Sequence, residues 1–276
     1  MRGRRAAIAG FVAALLIPIG ASAADTDTCV YVSPTGASDW TVTIGGEGRV
    51  EPIFQGSKRD VLLPFPILAV RRFGTPEPFR APRDGVGIGL FGDNVFQVGP
   101  VGQLRTPRLQ KFDAALQGLG DVPWAIELGG FAEYWVVPWL RTRVELRQGF
   151  NGHHGLVSDI FADAVVRGGT QWTLSGGPRM TLASTPATTP YFGIDAAQSA
   201  ASDLPLFDAK GGVRSLGAGT QARYFWTRQF ATHAFVEYER LTGDAASSPL
   251  VEQRGSANQL TIGFGASHSF DIKSPW

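Results

Sequence analysis

The chain has 276 residues, of which 43% are hydrophobic and 18% charged, with 35 glycines, 18 prolines and one cysteine. Its 25 basic and 24 acidic residues nearly cancel, so the composition gives no reason to expect a nucleic-acid partner. The single cysteine, Cys29, excludes an internal disulfide.

The first 23 residues have the composition of a secretory leader. A basic head, MRGRR, precedes the apolar stretch AAIAGFVAALLIPIG, and the small residues Ala21 and Ala23 follow. This order predicts a signal peptide over residues 1–23, cleaved after Ala23. An N-terminal membrane anchor would need about 20 apolar residues, whereas Pro18 and Gly20 end this stretch early. Cleavage removes three of the 25 basic residues, so 22 remain against 24 acidic ones and the mature chain is slightly acidic.

The strongest strand signal lies in the middle of the chain, at LRTRVELRQ. Apolar or neutral residues occupy the even positions from Leu140 to Leu146, and charged residues the odd positions from Arg141 to Arg147. Strict alternation of this length is typical of a β-strand with two different faces. The preceding run, 124–136, alternates in the same way, and only residues 137–139 separate the two. We therefore predict a hairpin with a tight turn.

Other parts of the chain alternate too. Three clear runs follow in the C-terminal third, at 216–226, 230–239 and 258–270, and weaker ones occur at 40–50, 61–72, 85–91, 96–104, 156–167, 170–182 and 191–194. Many are close to the 9 to 11 residues that a tilted strand needs to cross a bilayer. No stretch after the leader has 18 consecutive apolar residues, so helical membrane spans are not expected.

These runs predict an all-β fold, a transmembrane antiparallel β-barrel of about 12 strands. Short turns and long loops should lie at opposite ends of such a barrel. A count of the runs instead puts the tight turn at 137–139 at the end with the long loops, which indicates that a strand there is split or missed. Ten strands is therefore the alternative. The predicted domains are the signal peptide (1–23), a periplasmic N-terminal segment (24–39) and the barrel (40–276).

The charged face of the strands predicts what lies inside the barrel. A basic side chain facing lipid costs about 2 to 4 kcal/mol at the bilayer midplane, so these charges should face the lumen. The predicted lumen-facing residues are Glu127, Glu133, Arg141, Arg143, Glu145, Arg147, Glu237 and Glu239. These charges could pair across a plugged or narrow lumen, or they could line a pore that selects solutes. We favour the plugged or narrow lumen for a barrel of this size.

Five segments, in order along the chain, resemble the MipA/OmpV family of outer-membrane proteins. They are FQGSKR with VLLPFPIL (54–68), GLGD (118–121), PYFGI with AAQSAASDLP (190–205), LTGDAASSPLV (241–251), and GSANQLTIGFG (255–265) leading to Phe270. One departure concerns the chain end. Such barrels commonly end on an aromatic residue read by the barrel assembly machinery, and here either Phe270 or Trp276 could serve.

The resemblance implies a barrel in the outer membrane of a Gram-negative bacterium, in contact with its lipid. It further implies a scaffold that links a murein hydrolase (a lytic transglycosylase) to a murein synthase in peptidoglycan biogenesis. Other members of the family are similar to porin-like channels or to surface adhesins, which here would act through the loops around Leu204 and Asp244. The family has no catalytic residues to carry over, so neither enzymatic activity nor a cofactor is expected.

Three further patterns have a structural interpretation that we prefer to a chemical one. His153 and His154 are adjacent and have no acidic or cysteine partner at metal-ligand spacing, which favours a solvated loop. Asp244, Ser247 and Ser248 lack a Gly-x-Ser-x-Gly motif, which favours loop structure over hydrolase chemistry. The glycines of GVGIGLFG (85–92) have no helix after them to bind a phosphate, so they are expected in a strand.

Overall fold

The computed structural model describes residues 39–75 and 77–273. The predicted signal peptide, its cleavage site at Ala23, the predicted periplasmic segment up to residue 38, and Trp276 lie outside the described residues.

Twelve antiparallel strands make up most of the described chain, as predicted. They are β1 (Trp40–Pro52), β2 (Asp60–Arg72), β3 (Val86–Gly87), β4 (Phe91–Gly92), β5 (Phe96–Arg105), β6 (Ala125–Val137), β7 (Leu140–Asn151), β8 (Leu156–Gly168), β9 (Trp172–Ala183), β10 (Gly212–Phe225), β11 (Phe230–Leu241) and β12 (Asn258–Ile272). The predicted run at 85–91 is divided into the two short strands β3 and β4. The all-β prediction with about 12 strands is confirmed.

The strands form one curled sheet in the order β2-β1-β12-β11-β10-β9-β8-β7-β6-β5-β3, with β4 beside β5. The first and last long strands are neighbours, from Trp40 opposite Ile272 to Val50 opposite Ile262. Within the described residues, β2 and β3 are the two edges of this sheet and are not paired with each other. Pro64 and Pro66 lie in the edge strand β2, a position where a residue without an N–H donor is tolerated.

Side chains alternate along these strands as their sequence predicts. Val144 and Leu146 are exposed, and Arg141, Glu145 and Arg147, on the other face of β7, are fully buried. Exposed apolar residues continue this outer surface on β6, β11 and β12. An apolar exterior around a charged interior is the arrangement expected of a barrel that crosses a bilayer.

The two ends of the barrel differ. Two to four residues join β6 to β7, β8 to β9 and β10 to β11 at one end, here called the turn end. The exposed tryptophans Trp139, Trp172 and Trp226 lie there, as interfacial aromatics do where strands leave the hydrocarbon. The opposite end, here called the loop end, carries the long connections 106–124, 184–211 and 242–257.

The count of predicted strands placed the tight turn at 137–139 at the end with the long loops, and the structure explains why. β2 ends at the turn end, where Arg72 pairs with Trp40, and the β4–β5 turn is at the same end, where Phe96 pairs with Tyr134. The chain must therefore return towards the loop end before β3 begins, and residues 77–85 do so without joining the sheet; Glu77 pairs with Arg223 and Arg83 with Glu237. This crossing, here called the inner segment, places the turn at 138–139 at the turn end.

The weak strand predicted at 191–194 is wrong. Those residues lie at the end and just beyond α1 (Thr185–Phe192), and Ile194 forms only an isolated bridge with Phe207. Four residues are too few for periodicity to distinguish a strand from a helix end. Two more short helices, α2 (Ala196–Ser202) and α3 (Gly243–Ser247), belong to the same end of the barrel. None of the helices in the described chain is long and apolar enough to cross a membrane.

The long connections pack together into a cap over the loop end. Its apolar centre comprises Phe54, Leu116, Leu119, Val122, Tyr191, Phe192, Ile194, Leu204, Leu241, Leu250 and Val251. Polar contacts join its parts: Gln198 Nε2 donates to Leu119 O over 2.7 Å, and Ser248 Oγ donates to Phe192 O over 2.7 Å. Parts of all five segments that carry the family resemblance contribute to this cap or to the strands that enter it.

Candidate functional site

The charged interior of the barrel is the candidate site. Seven of the eight residues expected to face the lumen are buried: Glu127, Glu133, Arg141, Arg143, Glu145, Arg147 and Glu237. The eighth, Glu239, is partly buried. β6 and β7 position the first group, because their register sets Glu133 directly opposite Arg143. β11 supplies the other two glutamates from across the interior.

Arg141 is the centre of one cluster. Its Nη2 atom donates to Asp84 Oδ2 over 2.6 Å and to Glu133 Oε2 over 2.8 Å, while Nη1 donates to Asp163 Oδ2 over 3.1 Å. Arg143 shares the same Glu133 oxygen over 3.1 Å. A guanidinium that is 0% exposed needs such partners, since an unpaired buried charge is very costly.

Arg147 is the centre of a second cluster. Its Nε atom donates to Glu127 Oε2 over 3.0 Å, and its two terminal nitrogens pair with Glu145 and Asp159. Glu145 also accepts from Arg143 Nε over 2.8 Å, which joins the two clusters. The interior of this side of the barrel is therefore a continuous network of charge-assisted hydrogen bonds.

The inner segment extends the network to the opposite wall. Arg83 Nη1 donates to Glu237 Oε1 over 2.9 Å and to Glu239 Oε2 over 3.1 Å. Its neighbour Asp84 holds Arg141, and the Gly85 N–H donates to Glu145 Oε1 over 3.1 Å. β7 and β11 are thus connected through three consecutive residues of the inner segment, which occupies the space that an open pore would need.

Sequence reasoning missed several members of this network. Asp159 and Asp163 lie four residues apart on β8, and Arg179 of β9 pairs with Asp163 over 2.5 Å. Their even separation on a strand is the signal that could have placed both aspartates on one face. Arg83 and Asp84 follow a proline-rich stretch without periodicity, and nothing in the sequence alone indicates that they enter the barrel.

The prediction that His153 and His154 lie in a solvated loop is wrong for His153, which is buried. It is right for His154, which is exposed. The Nε2 atom of His153 lies 3.0 Å from Glu127 Oε1, and its ring meets Tyr191 edge-on with centroids 6.0 Å apart. The histidine connects the charged interior to the cap.

The other two patterns have structural roles. Asp244 accepts the Lys210 N–H over 2.7 Å within the cap, and the Ser248 hydroxyl is engaged with the backbone of α1. The glycines of the 85–92 pattern allow close strand approach: a Cβ on Gly87 of β3 would lie 3.0 Å from the Pro100 carbonyl oxygen of β5.

An Asp84→Ala variant is expected to lose roughly 1 to 3 kcal/mol of unfolding free energy, because Arg141 loses one of its buried acceptors. The matched control is Asp208→Ala, whose exposed carboxylate pairs with the exposed Lys210 and should matter little. Urea unfolding of both variants in detergent micelles measures the difference. Equal unfolding midpoints would show that the inner segment is not held by this contact.

Together, the apolar exterior, the charged and largely filled interior and the aromatic turn end define a membrane-spanning β-barrel. The family model described as "MltA-interacting protein MipA" matches residues 44–270. The chain belongs to this family, which confirms the resemblance seen in the sequence.

Comparison with curated proteins gives no significant match. Similar solved structures include the COG4313 outer membrane channel from Pseudomonas putida F1, at 12% identity and a TM-score of 0.42, covering 87% of this chain and 100% of that one. The KdgM porin is similar at 9% identity and a TM-score of 0.39, covering 83% of this chain and 99% of that one. A bacterial polysaccharide outer membrane secretin is similar at 9% identity and a TM-score of 0.42, covering 85% of this chain and 99% of that one.

Proposed function

We propose that this protein is a non-enzymatic outer-membrane barrel of a Gram-negative bacterium that holds a periplasmic murein hydrolase, a lytic transglycosylase, at the membrane. Through that enzyme it would also be linked to a murein synthase. The observation that carries the proposal is the filled interior: the inner segment and paired charges occupy the lumen, and the packed cap covers the loop end. Such a barrel is better suited to anchoring a partner than to passing solutes. The family description, MltA-interacting protein, supports the same partner class.

The turn end is the surface that we assign to the partner. In bacterial outer-membrane barrels the short turns face the periplasm, where murein enzymes work. Arg228 and Gln229 are exposed in the turn between β10 and β11 and so offer polar contacts beyond the aromatic belt.

Photo-crosslinking in cells tests the proposal. A photoreactive residue at Gln229 is expected to capture a lytic transglycosylase, identified by mass spectrometry. The matched control is the same residue at Asp208, which is exposed in the cap at the other end and should not capture the enzyme. Capture of only assembly machinery and abundant lipoproteins from Gln229, or of the transglycosylase equally from both positions, would count against the proposal.

A narrow channel is the second candidate, favoured by one observation. A cavity of about 230 Å³ lies inside the barrel near the loop end, between the ends of β1 and β5 and the cap. If solutes pass, the purified protein should conduct, and Arg143→Ala or Glu133→Ala should change that conductance. The adhesin alternative gains less from the structure, because Leu204 is buried in the cap and unavailable to a host ligand.

A further inference from the structure

The cavity near the loop end has an unusual charge balance. Arg108 lies in its wall and is only 4% exposed. Its Nη1 atom donates to the Tyr191 backbone oxygen over 2.8 Å, whereas its Nε atom is buried without a partner. Within residues 39–75 and 77–273, no carboxylate lies at ion-pair distance from this guanidinium. Burial lowers the pKa of Arg108 to about 10, so the side chain still carries its charge at neutral pH.

A second unpartnered donor belongs to a residue of the same cavity wall. The Tyr191 hydroxyl, also in the cavity wall, is buried and has no hydrogen-bond partner in the described structure. The positive charges of Arg105, Arg214 and Arg108 act on this hydroxyl, as does the negative charge of Glu127. Arg49 and Arg105 also line the cavity, and they pair with Glu47 and Glu127, respectively. Among the described residues, Arg108 is therefore the arginine of the cavity wall that has no acid at ion-pair distance.

We propose that this cavity is a binding site for a small solute with one carboxylate group, held by Arg108 and the Tyr191 hydroxyl. A bound carboxylate would supply the missing acceptor, and charge-assisted bonds to guanidinium are among the strongest in proteins. Two carboxylates, Glu51 and Glu239, also line the cavity, and their repulsion disfavours a ligand with several negative charges. The cavity volume of about 230 Å³ is sufficient for a small organic acid. The site does not depend on the scaffold role.

Binding of ¹³C-labelled acetate to the folded full-length barrel in detergent micelles, followed by NMR line broadening, tests this site. The unaltered protein is expected to bind acetate saturably, and Arg108→Gln to bind it at least about tenfold more weakly, the loss of one charged hydrogen bond. Arg228→Gln, at the turn end, is the control and should bind normally. Inorganic phosphate at pH 8, which is doubly charged, should bind more weakly than acetate.

Absence of saturable acetate binding to the unaltered barrel, or equal binding by Arg108→Gln, overturns the proposal. Tighter binding of phosphate overturns the assignment to a singly charged carboxylate. If Arg108→Gln does not fold, Tyr191→Phe decides the question, since it removes a hydroxyl that has no partner. Weaker acetate binding by that variant supports the site, and unchanged binding contradicts it.

Discussion

An Arg147→Met variant is expected to unfold at a much lower urea concentration than the unaltered barrel, or to fail to insert into lipid vesicles. Methionine keeps an unbranched apolar stem but removes the charge that three buried carboxylates share, Glu127, Glu145 and Asp159. Removing one partner from a buried ionic group costs about 3 to 5 kcal/mol. Each of the three carboxylates keeps another partner: Glu127 keeps Arg105, Glu145 keeps Arg143, and Asp159 keeps the Thr181 hydroxyl and, over 3.7 Å, Arg83. The cost therefore arises from weakening three buried ion pairs at once.

Arg228→Met is the matched control for this prediction. Arg228 is exposed at the turn end and forms no ion pair with the rest of the described chain, so its replacement should change the unfolding free energy little. The readout is urea unfolding in micelles, with the mobility shift of folded barrels on gels as a second measure. Similar midpoints for the two variants would mean that the Arg147 cluster does not stabilise the barrel.

The second large effect is expected on the outer surface of the same strand. Val144 is 43% exposed near the middle of β7, opposite Ala132 and Ile160 on the neighbouring strands. A Val144→Arg side chain would face lipid there, which costs about 2 to 4 kcal/mol at the bilayer midplane. We expect Val144→Arg to insert poorly into lipid vesicles and to accumulate unfolded.

Thr142→Val, two residues away on the same face, is the matched control. It removes only the hydrogen bond from the Thr142 hydroxyl to the Tyr134 oxygen, 3.0 Å long, and places an apolar side chain against lipid. This variant should fold with a yield close to that of the unaltered protein. Equal folding yields for Val144→Arg and Thr142→Val would indicate that the two faces of β7 are assigned in reverse.

Alternation along the strands made the barrel predictable. In β7 every second residue is charged, so periodicity alone separates an inner from an outer face, and the structure has Arg141 and Arg147 inside. The same rule, applied to β8, would have added Asp159 and Asp163. Hydrophobicity alone does not separate the two faces of β8, because the two acids alternate on the inner face with the apolar residues Val157, Phe161 and Val165.

The inner segment could not be predicted in this way. Residues 77–85 have no periodic pattern, and their contacts with β7 and β11 join positions 57 and 154 residues apart. Only the mismatch between turn lengths and barrel ends pointed to a missing crossing. The cap is similar: α1 contains Pro190 and is eight residues long, so tertiary packing of Tyr191 and Phe192 rather than helix propensity decides its structure.

Conductance of the purified, unaltered protein in planar lipid bilayers is the most direct test of the central claim, that the inner segment and its ion pairs fill the barrel. The filled interior predicts a membrane that stays electrically silent after insertion, with conductance steps appearing only when Arg83→Ala and Asp84→Ala together release the inner segment. Steady steps of constant size from the unaltered protein, changed by Arg143→Ala, would contradict the filled interior and establish a channel instead.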